Sequence, residues 1–429
     1  MSHSPTNSGA SSVTARLSVM MFLQFFVWGS WYVSMGTYLG ANDQLKGALA
    51  WAYSLVPIAA IISPFFLGIV ADRFFATERI LGVLHVLGGI VMLGVPTIVG
   101  NNPNLFLAVV GLHALCYVPT LGLTNSLAFH NVTDGERQFP LIRVFGTIGW
   151  IVANLVVSSV LKADREVIQF WVTGGSAILL GLYSFTLPHT PPPARGQRAE
   201  VKDILGLDSL ALMKQRSFAV FVISSFLICI PLAAYYQLAA RFVEQVGFTN
   251  TASTMSLGQM SEILFMLVMP FFFRRLGVKW MLLVGMIAWV ARYGLFAVAW
   301  PDKLQALVIA GIVLHGICYD FFFVTGQIYV DKKAPATIRS QAQGFLVLVT
   351  QGLGMFIGAQ AMGAIEVAQT GAAGDIAWRN LWIIPCAAAG VIAVLFFLLF
   401  REDRKVTDTG QVEDIRGPVE PVLADGLPG

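Results

Sequence analysis

SLGQMSEILFMLVMPFFF (256–273) and LVIAGIVLHGICYDFFFVTG (307–326) are two apolar runs, each with one carboxylate near its centre, Glu262 and Asp320. A carboxylate midway along a bilayer helix costs about 2.5–3.5 kcal/mol on insertion scales, so such residues normally face a polar cavity, a partner charge or an ion pathway. These two are the first candidates for function.

The rest of the chain has the same character. Of its 429 residues, 56% are hydrophobic and only 12% charged, with a mean hydropathy of +0.72, whereas soluble domains carry about 25% charged residues. Runs long enough to cross hydrocarbon recur at 17–40, 48–70, 78–99, 104–129, 140–161, 167–187, 217–243, 252–273, 280–300, 304–330, 340–365 and 378–400. Lipid offers no partner to a backbone N–H or C=O, which leaves helices or closed barrels, and these runs lack the alternation of barrel strands. The expected fold is an all-α integral membrane protein with twelve transmembrane helices. The first run follows a polar leader, MSHSPTNSGASSVTAR, and continues past the length of a signal-peptide core without a clear A-x-A site, so it is expected to remain as the first helix.

Lys and Arg set the orientation. One set of loops takes Arg16, Arg73, Arg79, Arg137, Arg195, Arg198, Lys202, Lys214, Arg216, Arg274, Arg275, Lys279, Lys332, Lys333, Arg339, Arg401, Arg404 and Lys405. The other holds only Lys46, Lys162, Arg165, Lys303 and Arg379, a bias of roughly fourfold that puts both termini in the cytoplasm. The net charge of +3 is thereby topogenic, and nothing points to a nucleic acid partner. Cys116, Cys229, Cys318 and Cys386 stand singly in apolar runs, which indicates neither a disulfide framework nor a metal site.

The longest polar interruption, PHTPPPARGQRAEVKD (188–203), divides the chain into two six-helix halves. The expected organisation is a cytoplasmic leader (1–16), an N-terminal bundle (17–187), a linker (188–216), a C-terminal bundle (217–400) and a disordered cytoplasmic tail (401–429). Within the linker, ILGLDSLALMK (204–214) reads as a short amphipathic stretch lying on the membrane surface. The halves echo each other: PFFLGIVADRFFATERI (64–80) corresponds to PFFFRRLGVKWML (270–282), each placing Pro-Phe-Phe before a tight basic loop. Paired halves with a substrate site between them are a recurrent transporter architecture.

GIVADR (68–73) resembles the loop signature of the major facilitator superfamily, carried here by Gly68, Asp72 and Arg73. More narrowly, FLQFFVWGSW (22–31), YVPTLGL (117–123), FPLIRVFGTIG (139–149), TLPH (186–189), ILGLDSLAL (204–212), QMSEILF (259–265) and YDFF (319–322) resemble segments of the bacterial nucleoside:proton symporters. Each string is weak alone; together and in order they are specific.

The polar residues can be read beside that resemblance. Gln259 and Glu262 are three apart and share a helix face, offering an amide donor and a carboxylate that suit vicinal ribose hydroxyls; both could instead bond neighbouring helices. Asp320 follows Tyr319, with His315 one turn earlier on the Tyr319 face. Apolar surroundings favour a neutral carboxyl and a nearby cation favours its ion, so Asp320, or Glu262, could exchange a proton as its surroundings change; Asp320 could instead form a structural salt bridge. His315 could equally be a satisfied core residue.

Arg143, Thr147 and Trp150 form one stripe at i, i+4 and i+7. Pro140 suits a first helical turn, so Arg143 is expected near the cytoplasmic end, where it either serves the site or snorkels to the interface. Arg241 is expected to pair with Glu244 at a helix end, and Arg292 with an acidic residue of a neighbouring helix. Gly354 and Gly358 permit close helix approach.

The resemblance implies that Arg143, Thr147, Gln259, Glu262 and Asp320 match polar residues of the family's site. Tyr319 and Trp150 stand where the family pattern has Phe, and His315 where it can have Tyr. LAAYYQLAARF (232–242) lacks the family's upstream Gln and Asn, leaving Tyr236 and Gln237 as substitutes. The resemblance also implies that Asp72 and Arg73 act as a conformational latch.

The leading expectation is proton-coupled nucleoside uptake across the cytoplasmic (inner) membrane by a monomer in the lipid bilayer. No cofactor and no metal are expected. A carrier of another hydroxylated solute, or an exporter, would use the same fold; an enzyme or receptor finds neither a nucleophile motif nor a sizeable soluble domain.

Overall fold

The computed structural model describes residues 7–66, 74–100, 102–132, 135–192, 207–335, 338–401, 405–406 and 412–413. The apolar runs form helices because only i to i−4 bonding satisfies each backbone group inside its own segment. In chain order these are α1 (Asn7–Gly29), α2 (Leu49–Phe66), α3 (Thr77–Gly94), α4 (Pro103–Asn131), α5 (Gly135–Asn154), α6 (Ile168–Ser184) and α7 (Arg216–Val246). The continuous stretch Thr251–Ala299 is two helices broken at Gly277, whose φ of 67° lies in the left-handed region open to glycine. They are α8 (251–276) and α9 (278–299). Then come α10 (Gln305–Lys333), α11 (Gln341–Ala368) and α12 (Trp378–Leu399).

The twelve expected helices are present, with local corrections. The run expected at 17–40 ends its helix at Gly29; a turn follows, and then the separate short helix Met35–Ala41. The basic loop expected after 273 shrinks to Gly277, because α8 runs on through Arg274 and Arg275. Pro140 lies inside α5 rather than in its first turn, since the helix already begins at Gly135. Leu207–Lys214 forms a short 3-10 helix against α7 and α11, too short to span the membrane. Asp72 and Arg73 lie outside the described residues. In the tail, Lys405–Val406 and Val412–Glu413 pair antiparallel.

The first half is built by α1 against α5 and α6, with α3 against α4 and α6. The second is built by α7 against α11 and α12, with α10 and α12 packed on the hairpin of α8 and α9. Gly354 and Gly358 let α11 approach α7: a Cβ on them would meet Cys229 and Ala233 at 2.8 and 2.7 Å.

The halves meet along α2 with α11 and α5 with α8. Bonds joining them gather at the end remote from the termini. There Gln360 donates to Ser54 at 2.8 Å, Ser159 bonds Ser253 at 2.7 Å, and Arg165 pairs with Glu244.

Candidate functional site

The second half supplies one wall of the site. Gly258 and Gly316 let α8 and α10 touch, since a Cβ on either would press on His315 or on the Ser261 carbonyl. The Gly316 amide donates to the Ser261 hydroxyl at 3.0 Å, fixing the register of the two helices. In that register Glu262, 7% exposed, faces His315 with 3.9 Å between Oε2 and Nε2. Gln259, on the same face, is half-buried. His315 stacks on Tyr235 with ring centres 5.4 Å apart, and Tyr319 follows it at 5.9 Å.

The first half supplies the facing wall. Thr147 and Trp150 are buried, and half-buried Arg143 lies over the Phe25 ring at 4.2 Å. Trp150 meets Trp28 edge-on at 5.5 Å, and Trp28 continues to Tyr32 and Tyr117 at 5.6 and 5.8 Å. Tyr32 then reaches Tyr236 of the second half at 5.9 Å.

A buried carboxylate beside an imidazole, with aromatic rings running from one half to the other, suits a polar, flat solute. The sequence profile described as nucleoside H+ symporter matches residues 11–405. The chain belongs to the nucleoside H+ symporter family. YegT of Escherichia coli (strain K12) is 41% identical over 92% of this chain and 95% of its own. The xanthosine permease of the same organism is 31% identical over 91% and 96%. Its nucleoside permease NupG is 30% identical over 92% and 97%. A crystal structure of the nucleoside transporter NupG superposes with a TM-score of 0.80 at 29% identity, covering 91% of this chain and all of that one. The fold is accordingly the major facilitator fold in two six-helix halves.

In this member of the family, Asp320 lies in a widened π-type turn of α10, Tyr319–Val324, a local form frequent at functional positions. It is 0% exposed, and neither carboxylate oxygen has a hydrogen-bond partner among the described residues. Gln237 on α7 is fully buried, and its amide likewise has no partner among the described residues.

Two expected ion pairs are replaced. Arg241 pairs with Glu366 on α11, while Glu244 is taken by Arg165. Arg292 meets no acid in any described contact: Nη2 faces His315 Nδ1 at 3.1 Å, Nε donates to the Gly311 carbonyl, and the guanidinium lies over Tyr235.

Sequence reading missed Trp28, Tyr32 and Tyr117 as wall residues, although Trp28 and Tyr117 stand in two of the quoted segments. It also missed the polar network beneath them. Gln24 donates to Thr120 at 2.7 Å, its Oε1 meets His85 at 2.8 Å, and its carbonyl accepts the Tyr117 hydroxyl at 2.7 Å. The available signal was Gln24 itself, a long amide within an apolar run.

Proposed function

We propose that this protein carries nucleosides together with protons by alternating access between its two halves. The observation that carries the reading is the chain of rings from Trp150 and Trp28 through Tyr32 to Tyr236, which joins the half that bears Arg143 to the half that bears Glu262. Gln259 and Glu262 hold the ribose hydroxyls, with Thr147 and Gln237 as further polar contacts. Trp150, Tyr319 and neighbouring rings stack the base, a contact worth about 1–3 kcal/mol per base with little preference among bases. Asp320 or Glu262 takes the proton.

The loop charges support a cytoplasmic location for both termini in the inner membrane. The bonded far end is then periplasmic, and the halves stand closed to the outside. Asp72 and Arg73 serve as a latch for the opposite state. The protein works as a monomer in the bilayer. It moves its cargo without making or breaking covalent bonds, so it is a carrier rather than an enzyme.

Uptake of labelled uridine into proteoliposomes under an imposed pH gradient tests this reading. Accumulation should require an acidic exterior and yield to competition by adenosine and cytidine but not by sugars. Accumulation indifferent to the gradient overturns the proton coupling; competition by sugars alone overturns the cargo.

A further inference from the structure

Arg292 is a 0% exposed cation in the middle of α9 whose described contacts include no carboxylate. A guanidinium has donors and no acceptor. The ring nitrogen that faces it must therefore offer a lone pair, and that atom is Nδ1 of His315, 3.1 Å from Nη2. The Gly311 carbonyl at Nε and the Tyr235 ring beneath hold the guanidinium in this pose, and Tyr235 also stacks on the imidazole. A second ring proton would set N–H against N–H. The neutral imidazole thus carries its proton on Nε2, the atom directed at Glu262 Oε2, 3.9 Å away.

We propose that Arg292 is a positioning residue that fixes the tautomer of His315, making its Nε2 an obligate hydrogen-bond donor beside Glu262. The proposal rests on the reading of Glu262 as the hydroxyl anchor. The separation is too long for a direct hydrogen bond, so the donor is held for an incoming group. Glu262 only accepts when ionised and His315 only donates. A hydroxyl entering between them must donate to one and accept from the other, which selects an alcohol over a group able to do only one of these.

The test is nitrogen NMR of histidine-labelled carrier in detergent at neutral pH, with the His315 signals identified by their loss in His315→Gln. Protonated and bare ring nitrogens are resolved directly. Expected are an Nε2–H tautomer in the unaltered protein and an Nδ1–H or mixed population in Arg292→Gln, with the other five histidines unmoved. An Nδ1–H tautomer in the unaltered protein, or one unchanged in Arg292→Gln, overturns the proposal.

Transport kinetics supply the second measurement and cover an Arg292→Gln that does not fold. A Gln amide reaches the place of Nε2 and an Asn amide that of Nδ1. His315→Gln should therefore keep the KM for uridine within a few fold while His315→Asn raises it roughly tenfold, the loss of about one hydrogen bond. The reverse order overturns the proposal. A merely structural role would lower Vmax with the amount of folded carrier and leave KM alone. Because the tautomer is read without substrate, failure of the uridine assay would strike the proposed cargo and leave the NMR result standing.

Discussion

Asp164, in the loop after α5, caps the start of α8 in the other half of the molecule through the Thr251 amide at 3.0 Å. Ser158 donates to the same carboxylate at 2.6 Å, and Asp164 is only 6% exposed. The first amides of a helix have no partner within it, and a negative charge there is favoured by the helix dipole. A buried carboxylate from one half therefore satisfies the end of a helix in the other, which ties the halves together at the far end.

Opening that end must break this contact, so Asp164→Ala should shift the carrier toward the state open on the far side. Spin labels at Lys46→Cys and Ala373→Cys, both exposed and one in each half, should gain a longer-distance population. A hydrogen bond to a charged group is worth about 1.5–3 kcal/mol, so the ratio of states should change by roughly tenfold or more. An unchanged distance distribution would show that Asp164 bears no part in holding the far end together.

Glu262→Gln replaces an acceptor of two hydroxyl bonds by an amide of nearly equal volume. The KM for uridine should rise by roughly tenfold to a hundredfold, from the loss of charge-assisted bonds, with the carrier still folded. In the proposed site, where both charges flank one substrate, Arg143→Leu should act in the same direction and add little to Glu262→Gln in the double variant. Additive losses in the double-mutant cycle would count against that coupling.

Asp320→Asn should separate exchange from accumulation. Counterflow of labelled against unlabelled uridine needs no net proton movement and should persist; accumulation driven by an acidic exterior should vanish. Concentrative uptake that survives in this variant would leave Glu262 to carry the proton.

Gln24→Leu should weaken the first half without touching substrate. It strips buried His85 of its Gln24 partner and removes the amide that donates to Thr120, whose hydroxyl still donates to the Tyr117 carbonyl, while keeping the backbone bond to Tyr117. A buried polar group left unsatisfied costs about 1–3 kcal/mol. A fall in thermal stability in detergent with little change in uridine KM is the expected pattern.

The sequence by itself determined the class of fold, because hydrocarbon imposes a rule each segment must meet alone: bond the backbone internally and keep charge out. The same rule exposed Glu262 and Asp320, since a carboxylate in an apolar run is conspicuous without knowledge of any other helix. Gly354 and Gly358 were legible too, because small residues at that spacing speak of a close neighbour whatever it is. Partnership was decided only by tertiary structure. Arg241 passes over Glu244 on its own helix for Glu366, Glu244 turns to Arg165, and Arg292 meets an imidazole where an acid was expected. Helical spacing ranks neighbours along one helix. The group that finally meets a buried charge is set by the register and rotation of other helices, which contacts such as Gly258 against His315 and Ser261 against Gly316 fix in space.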